Sequence, residues 1–405
     1  MTLELLRGTV RPYAWGSRTA IAELTGNPSP APHPEAELWF GAHPASPSTV
    51  DGTALTELLE LDAHGHLGTR ITERWAGRLP FLIKVLAADE PLSLQAHPSA
   101  GLAAEGYARE EAAGIPRDAP ERNYPDPTAK PELLCALSEF HALAGFRGPR
   151  RSTELLRALD CEPLRPYTEL LAGQPDEDGL RALFTTFVTL PSSALEQLLP
   201  AVVDACVRHV RERGEFDLEC RTALELAERY PGDAGILAAL LLNRLVLQPG
   251  EAIHIAAGNL HAYLRGTAIE ILAASDNVLR CGLTPKHVDV PELLRVLDFA
   301  ADEMPVLKGE QHGAVRRYQT SAEEFELTVA ELDGAAARAV LTACGPQILL
   351  CTEGTALLRA ASGHERVLSK GEAVWSPAKD GDISVTPVEE NIRTTVYRAS
   401  LPSVQ

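Results

Sequence analysis

Gln95-Ala96-His97-Pro98 sits in an apolar segment that runs from Leu79-Pro-Phe-Leu-Ile-Lys-Val-Leu to Leu92-Ser-Leu-Gln-Ala-His-Pro. In an extended strand, residues two apart project to one side, so Gln95 and His97 can offer an amide oxygen and an imidazole nitrogen to a single metal ion. Glu132, in Lys130-Pro-Glu, and His261, in Gly258-Asn-Leu-His, are two further candidate ligands. Two imidazoles, a carboxylate and an amide oxygen form a donor set that suits zinc. A strand histidine held by a backbone carbonyl has the same local sequence, and His97 taken alone does not separate the two readings.

The segments around these residues carry further polar groups. In Asn123-Tyr-Pro-Asp-Pro-Thr-Ala-Lys-Pro-Glu132, the prolines at 125, 127 and 131 stiffen the loop and hold Lys130 and Glu132 extended, on one side. An ordinary solvated Lys/Glu pair would read the same way. In Pro249-Gly-Glu-Ala-Ile-His-Ile-Ala-Ala-Gly-Asn-Leu-His-Ala-Tyr, Tyr263 follows His261 by two, while His254 lies in an apolar strand and suits a buried structural role. Glu270, Asp276, Asn277, Arg280 and Lys286 then fall among small residues. That density suits a pocket for a polyhydroxylated anion, with Arg280 as a planar fork and Lys286 as a point charge, and equally a solvated surface.

Elements of several kinds must position these groups. Up to about residue 100, short apolar runs alternate with Pro, Gly and Ser clusters, which is all-β punctuation relieved by short helices at 52–61 and 70–76. A helix is expected over 100–113. From about 150 to 243, apolar residues recur at helical spacing, as in Leu195, Leu198, Leu199, Val202, Val203 and Cys206, and mark a helical insertion that packs or covers rather than catalyses. Strand character resumes at Leu245-Val-Leu-Gln-Pro-Gly-Glu-Ala-Ile-His-Ile and continues from about 310 to 400. Leu247 to Ala257 aligns without a gap on Leu368 to Ala378. Each reads as strand, Gly-Glu turn, strand, the form of a jelly-roll hairpin, with Trp375 where the first copy has His254.

The 405 residues imply two or three domains. With 45% apolar and 23% charged residues the composition is globular, and a net charge of −19 disfavours nucleic acid and anionic membranes as partners. The N-terminus does not read as a signal peptide and no apolar run is long enough to span a membrane. Seven scattered cysteines without a Cys-x-x-Cys pair read as reduced thiols, which points to the cytoplasm and leaves zinc to nitrogen and oxygen ligands.

Six ordered stretches resemble the type I phosphomannose isomerases: Arg11-Pro-Tyr-Ala-Trp-Gly-Ser, Ala36-Glu-Leu-Trp-Phe-Gly-Ala-His-Pro, Leu79 to Pro98, Lys130-Pro-Glu-Leu, Ala142 to Phe146, and Gly250 to Lys286. The resemblance implies a mainly β fold of two cupin-type jelly-roll barrels with an α-helical insertion. The domains would be a split catalytic cupin over 1–148 and 245–308, the insertion over 149–244, and a C-terminal cupin-like domain over 309–405. It implies one zinc ion per chain on Gln95, His97, Glu132 and His261, and a monomeric enzyme that takes a small sugar phosphate. Lys84, Ser93, Lys130, Glu270, Arg280 and Lys286 match residues that line the family's substrate pocket, and Asp276 and Tyr263 match others near its metal.

The implied reaction interconverts mannose 6-phosphate and fructose 6-phosphate through a cis-enediol, with a metal polarising the carbonyl and a base moving a proton between C2 and C1. Lys130 is the candidate base, Arg280 the candidate partner of the enediolate oxygen, and Asp276 with His97 the candidate pair for ring opening. The chain departs from the family at Ala129, where the loop usually carries a histidine, and at Ser99-Ala100, where an acid or threonine and then lysine usually follow. An isomerase of another sugar, a sugar-phosphate-binding protein without catalysis, and a cupin oxygenase are the rival readings.

Overall fold

A computed structural model of the chain describes residues 2–301, 304–334, 338–389 and 391–402. Among them, strands assemble into sheets of ten, nine and four, paired antiparallel. The ten-stranded sheet holds the chemistry-bearing residues. Its main path runs Leu242–Leu247, Phe140–Phe146, His261–Ala273, Phe81–Ala88, Glu37–Gly41 and Thr9–Arg11, with Leu94–Ala96, Glu132–Ala136, Ala252–Ile255 and Leu279–Gly282 paired off it. This barrel-forming arrangement is of the cupin type.

The strand His261–Ala273 is the spine of that sheet. Its first part pairs with Phe140–Phe146 and Leu94–Ala96, and its second with Phe81–Ala88 and Glu132–Ala136. The change of partners falls at Gly266, where φ is +124° and a Cβ would lie 2.6 Å from the Glu139 carbonyl oxygen. Only glycine fits such a bend without strain. Phe81–Ala88 is buried along its whole length, which explains its unbroken apolar run and makes Lys84 the one charge within it.

Between Pro149 and Ala239 the chain is helical: Pro149–Ala158, Arg165–Gly173, Glu177–Val188, Ser192–Glu212, Asp217–Arg229 and Gly235–Ala239. Leu180, Leu183, Phe184 and Phe187 form one buried stripe, and Phe184 packs with Phe299 against Phe146 of the sheet. The short helices lie at Leu55–Leu61 and Thr69–Arg74, and the one expected over 100–113 spans Ala100–Ala112. Ser99 begins it, its Oγ accepting the Leu102 N–H at 3.4 Å, so this residue works as a cap rather than facing the cavity described below. No described helix is long and apolar enough to cross a membrane.

The two aligned strand–turn–strand copies differ from expectation in one respect. Leu242–Leu247 pairs with Phe140–Phe146, while Ala252–Ile255 pairs with Glu132–Ala136. Likewise Glu365–Ser369 pairs with Thr355–Ala360, while Ala373–Ser376 pairs with Gln347–Glu353. Each Gly-Glu turn is therefore a corner between different strand pairs, not a hairpin loop. Trp375 is fully buried and donates from Nε1 to His66 Nδ1 at 3.1 Å, a structural arrangement. The N-terminal strand Glu4–Arg7 joins the nine-stranded sheet between Ala373–Ser376 and Thr49–Val50.

Candidate active site

Strand register alone pairs five of the predicted residues with one another and sets Glu132 beside them. Gln95 lies between His261 on one neighbouring strand and Arg280 on the other. One row over, Lys84 lies between Trp39 and Glu270, and Glu132 pairs with Leu272. A cavity of about 510 Å³ opens on this face, lined by Gln95, Lys130, Glu132, Tyr263, Glu270 and Arg280 among others.

Glu132 connects this cavity to a buried cluster: His97, Glu132 and His261 place one donor atom each within 4.8 Å of one another. His97 Nδ1 is 2.7 Å from the Asn277 carbonyl and His261 Nδ1 is 3.1 Å from the Asn259 carbonyl. A carbonyl only accepts, so both imidazoles carry their proton on Nδ1 and turn the Nε2 lone pair inward. His97 Nε2 lies 3.1 Å from Glu132 Oε1 and has no hydrogen-bond partner among the described residues. His261 Nε2 lies 3.6 Å from Glu132 Oε2 and 3.4 Å from the Gln95 amide. Lone pairs facing a buried carboxylate suit a cation between them, and the Gln95 amide, if turned to present its oxygen, would offer a fourth donor.

The electrostatics agree. Burial lowers the pKa of His97 and takes that of His261 down to about 4, so both are neutral ligands at pH 7. Burial alone would raise the Glu132 carboxyl, but Lys130 and His97 outweigh it and hold the group well below the usual range. Lys130 Nζ stands 3.0 Å from Glu132 Oε1, and the Tyr263 hydroxyl donates to Glu132 Oε2 at 3.3 Å. Burial, with Glu270 and Glu132 adding to it, pushes the Tyr263 phenol well above its ordinary value and keeps it a donor.

The predicted cations fall into two kinds. Lys84 is committed: its ammonium lies 3.2 Å from Glu270 Oε2, 3.6 Å from Glu37 Oε1 and 4.8 Å from the centre of the Trp39 ring. Burial nevertheless carries Glu270 up to about 7. Arg280 and Lys286 make no ion pair among the described residues, although both line the cavity with Ser93. Burial lowers the pKa of each, and in Lys286 the charge of Arg280 adds to it, as two cations awaiting an anion would show.

Asp276 lines the cavity too, but its side-chain partner is not His97. His43 Nε2 lies 3.1 Å from Asp276 Oδ1. His97 is turned away, towards the Asn277 carbonyl and Glu132. The Asn277 side chain, fully buried, donates to the carbonyls of Asp126 and Thr128, 2.8 Å each, and accepts the Asp126 N–H at 3.0 Å. It thereby ties the loop that leads into Lys130 to the loop that receives His97. Reading the sequence picks out none of His43, Glu37 or Trp39 for a role. Their signal is alternation: Glu37, Trp39 and Gly41 share one strand face, and His43 lies two residues beyond it.

A sheet-built cavity that meets a buried His–Glu–His cluster at Glu132 is the architecture of a cupin enzyme. Residues 3–149 match the family model of the phosphomannose isomerase type I catalytic domain. The mannose-6-phosphate isomerase of Escherichia coli (strain K12) is 37% identical over 390 residues, covering 95% of this chain and 97% of that protein. Mannose-6-phosphate isomerase 1 of Arabidopsis thaliana is 31% identical over 99% of this chain and 94% of its own. The crystal structure of a zinc-bound mannose 6-phosphate isomerase superposes with a TM-score of 0.90 at 34% identity, with full coverage of both chains. The chain belongs to the type I mannose-6-phosphate (phosphomannose) isomerase family.

Proposed function

We propose that the chain is a zinc-dependent aldose–ketose isomerase that interconverts D-mannose 6-phosphate and D-fructose 6-phosphate. The observation that carries this reading is the convergence of the His97 and His261 Nε2 lone pairs on Glu132, which lines a cavity that also presents Arg280 and Lys286 without acidic partners among the described residues.

Gln95, His97, Glu132 and His261 would hold the zinc, which would supply Lewis-acid polarisation of the sugar carbonyl. Arg280, Lys286 and Ser93 take the anionic end of the substrate, with Arg280 also within reach of charge that develops on the enediolate oxygen. Lys84, Glu270 and Tyr263 form a fixed polar wall for the sugar hydroxyls. Lys130, in its neutral form, removes the proton from C2; the C2–H pair becomes the C1–C2 double bond and the carbonyl pair moves onto O1, giving the cis-enediolate. The O2 proton shifts to O1, the pair left on O2 forms the C2 carbonyl, and the C1–C2 double-bond pair takes the proton back from Lys130 as the new C1–H bond. Asp276 assists opening of the pyranose ring.

The chain divides into a catalytic cupin formed by 1–148 and 245–308, a helical insertion over 149–244, and a C-terminal cupin-like domain over 309–405. It works as a cytoplasmic monomer. The compartment is supported by six of seven cysteines lying buried as thiols.

A coupled assay of zinc-loaded protein with mannose 6-phosphate, beside a chelated control, tests the reading. Zinc-dependent formation of fructose 6-phosphate is the expected result, and it makes a histidine at 129 dispensable. Zinc and sugar phosphate bound without turnover would overturn it in favour of a binding protein or a different sugar.

A further inference from the structure

His43 and Asp276 stand 233 positions apart in the chain, yet their side chains meet at the cavity wall. The hydrogen bonds of His43 define its tautomer. The Ala45 N–H lies 3.2 Å from Nδ1 and can only donate, so Nδ1 is an acceptor and the imidazole proton sits on Nε2, the atom that faces Asp276 Oδ1 at 3.1 Å. The ring is held edge-on to Trp39, with centroids 5.0 Å apart and planes at 75°, and Trp39 is itself anchored by donating from Nε1 to Glu37 Oε2 at 2.8 Å. His43 is 9% exposed, whereas the Asp276 side chain is 55% exposed. One carboxylate oxygen is therefore clamped by a buried donor. The other, Oδ2, makes no hydrogen bond among the described residues and belongs to a group that lines the cavity. The backbone of Asp276 is fixed as well, its N–H donating to Asp126 Oδ2 at 2.8 Å.

We infer that His43 is the positioning residue for ring opening: it clamps Asp276 through Oδ1, so that Oδ2 meets the anomeric hydroxyl of the bound pyranose. This rests on the isomerase reading. In the step, the Asp276 carboxylate takes the proton of the C1 hydroxyl, the O–H pair becomes the second bond of the C1 carbonyl, and the C1–O5 pair leaves on the ring oxygen. The same proton then passes to O5. The carboxylate is regenerated and no other reactant is consumed. His43 never exchanges its own proton; it holds the carboxylate ionised and aimed. A sequence that lacks the family's loop histidine at 129 needs no substitute there for this step, because the orienting imidazole comes from the turn after Glu37–Gly41.

The test compares His43→Ala and His43→Gln with the unsubstituted zinc-loaded enzyme, on mannose 6-phosphate carrying protium or deuterium at C2. Turnover by the unsubstituted enzyme tests the isomerase reading; the variants, measured against it, test the positioning. Loss of the clamp should lower kcat of His43→Ala by about 100-fold, the order expected when a reacting group is misplaced. A glutamine side-chain amide at this position can still donate, so His43→Gln should recover most of that loss. The decisive signature is the primary isotope effect on kcat, which should fall towards unity in His43→Ala as ring opening, and not C2–H cleavage, becomes limiting. A variant with kcat equal to the unsubstituted enzyme, an isotope effect that stays or rises while kcat drops, or a glutamine no better than alanine would each overturn the inference. Should His43→Ala fail to fold or to hold one zinc per chain, Asp276→Asn is read in its place, and an unchanged isotope effect there overturns the inference equally.

Discussion

Lys84 and Glu270 are directly opposed on neighbouring strands, and the Lys84 ammonium sits 3.2 Å from Glu270 Oε2 with both side chains buried. A cation on an otherwise apolar strand is thus matched by register, with Glu37 completing a three-group cluster from a third strand. Removing the lysine leaves two buried carboxylates uncompensated. Lys84→Met should destabilise the protein by about 3 kcal/mol at pH 8. The cost should shrink at pH 5.5, because Glu270, already at about 7, then takes up a proton and sheds its charge. Urea unfolding of Lys84→Met at the two pH values, against the unsubstituted protein, reads both effects. An equal loss at both would refute the account.

Asn277 tests how the metal centre is held. It touches no predicted ligand through its side chain, yet its carbonyl orients His97 and its amide secures the 126–128 loop. Outer partners of ligating histidines typically govern metal affinity by 10- to 100-fold. Asn277→Ala should weaken zinc binding by about that factor, read by competition with a chromophoric chelator, while Glu132→Gln should abolish stoichiometric binding.

Arg280 and Lys286 should reveal the anionic end of the substrate. A hydrogen bond to a charged group contributes about 1.5–3 kcal/mol, or roughly 10- to 150-fold in affinity. Arg280→Met and Lys286→Met are each expected to raise KM for the sugar phosphate within that range, and to weaken the salt dependence of kcat/KM. The binding of unphosphorylated mannose should be unaffected by Lys286→Met. An equal loss for both sugars would move Lys286 away from the phosphate.

Asp380 predicts a pH dependence of stability remote from the cavity. Its Oδ2 accepts from the Leu3 N–H and from Ser376 Oγ, both at 3.1 Å, while the buried Oδ1 has no partner among the described residues. Burial raises its pKa above the unfolded value. The folded state then binds the proton more tightly than the unfolded chain, so this group's stabilising contribution is complete below the unfolded carboxyl pKa of about 3.9 and is lost as pH rises through the folded value. Asp380→Asn removes the titration. The difference in urea midpoint between variant and parent should shift in favour of the variant from pH 4.5 to pH 8. A constant difference would show that Asp380 does not carry the linkage.

The parts of the site that local pattern encodes are legible in the sequence alone. Gln95 lies on the strand Leu94–Ala96 with His97 one residue beyond its end, and the proline-stiffened loop delivers Lys130 and Glu132 to the same place. The helical stretch and the position of the last strands follow from periodicity of 3.6 and 2. What stays hidden depends on contacts between distant segments. Asp276 is expected to work with His97 in ring opening, and the imidazole that meets its carboxylate belongs to a turn with no periodic signature. Lys84 reads as a substrate-pocket residue, and nothing local shows that Glu37 and Glu270 flank it. The Gly-Glu corners read as hairpins because a turn specifies a reversal of direction and not the strand with which the reversed chain will pair.

The first strand, Glu4–Arg7, finds one of its two edges only in Ala373–Ser376, and the Leu3 N–H is bound by a side chain 377 positions away. A ribosome adding roughly 5–20 residues per second needs about 20 to 75 s to synthesise that stretch. Throughout that interval one edge of the strand emerges without its partner and is exposed to other nascent chains. The closing seam of the nine-stranded sheet therefore forms only after Ala373–Ser376 has been made. Cells would feel a lesion in Ala373–Ser376 first as a loss of yield during synthesis, well before any effect on the chemistry of the finished enzyme.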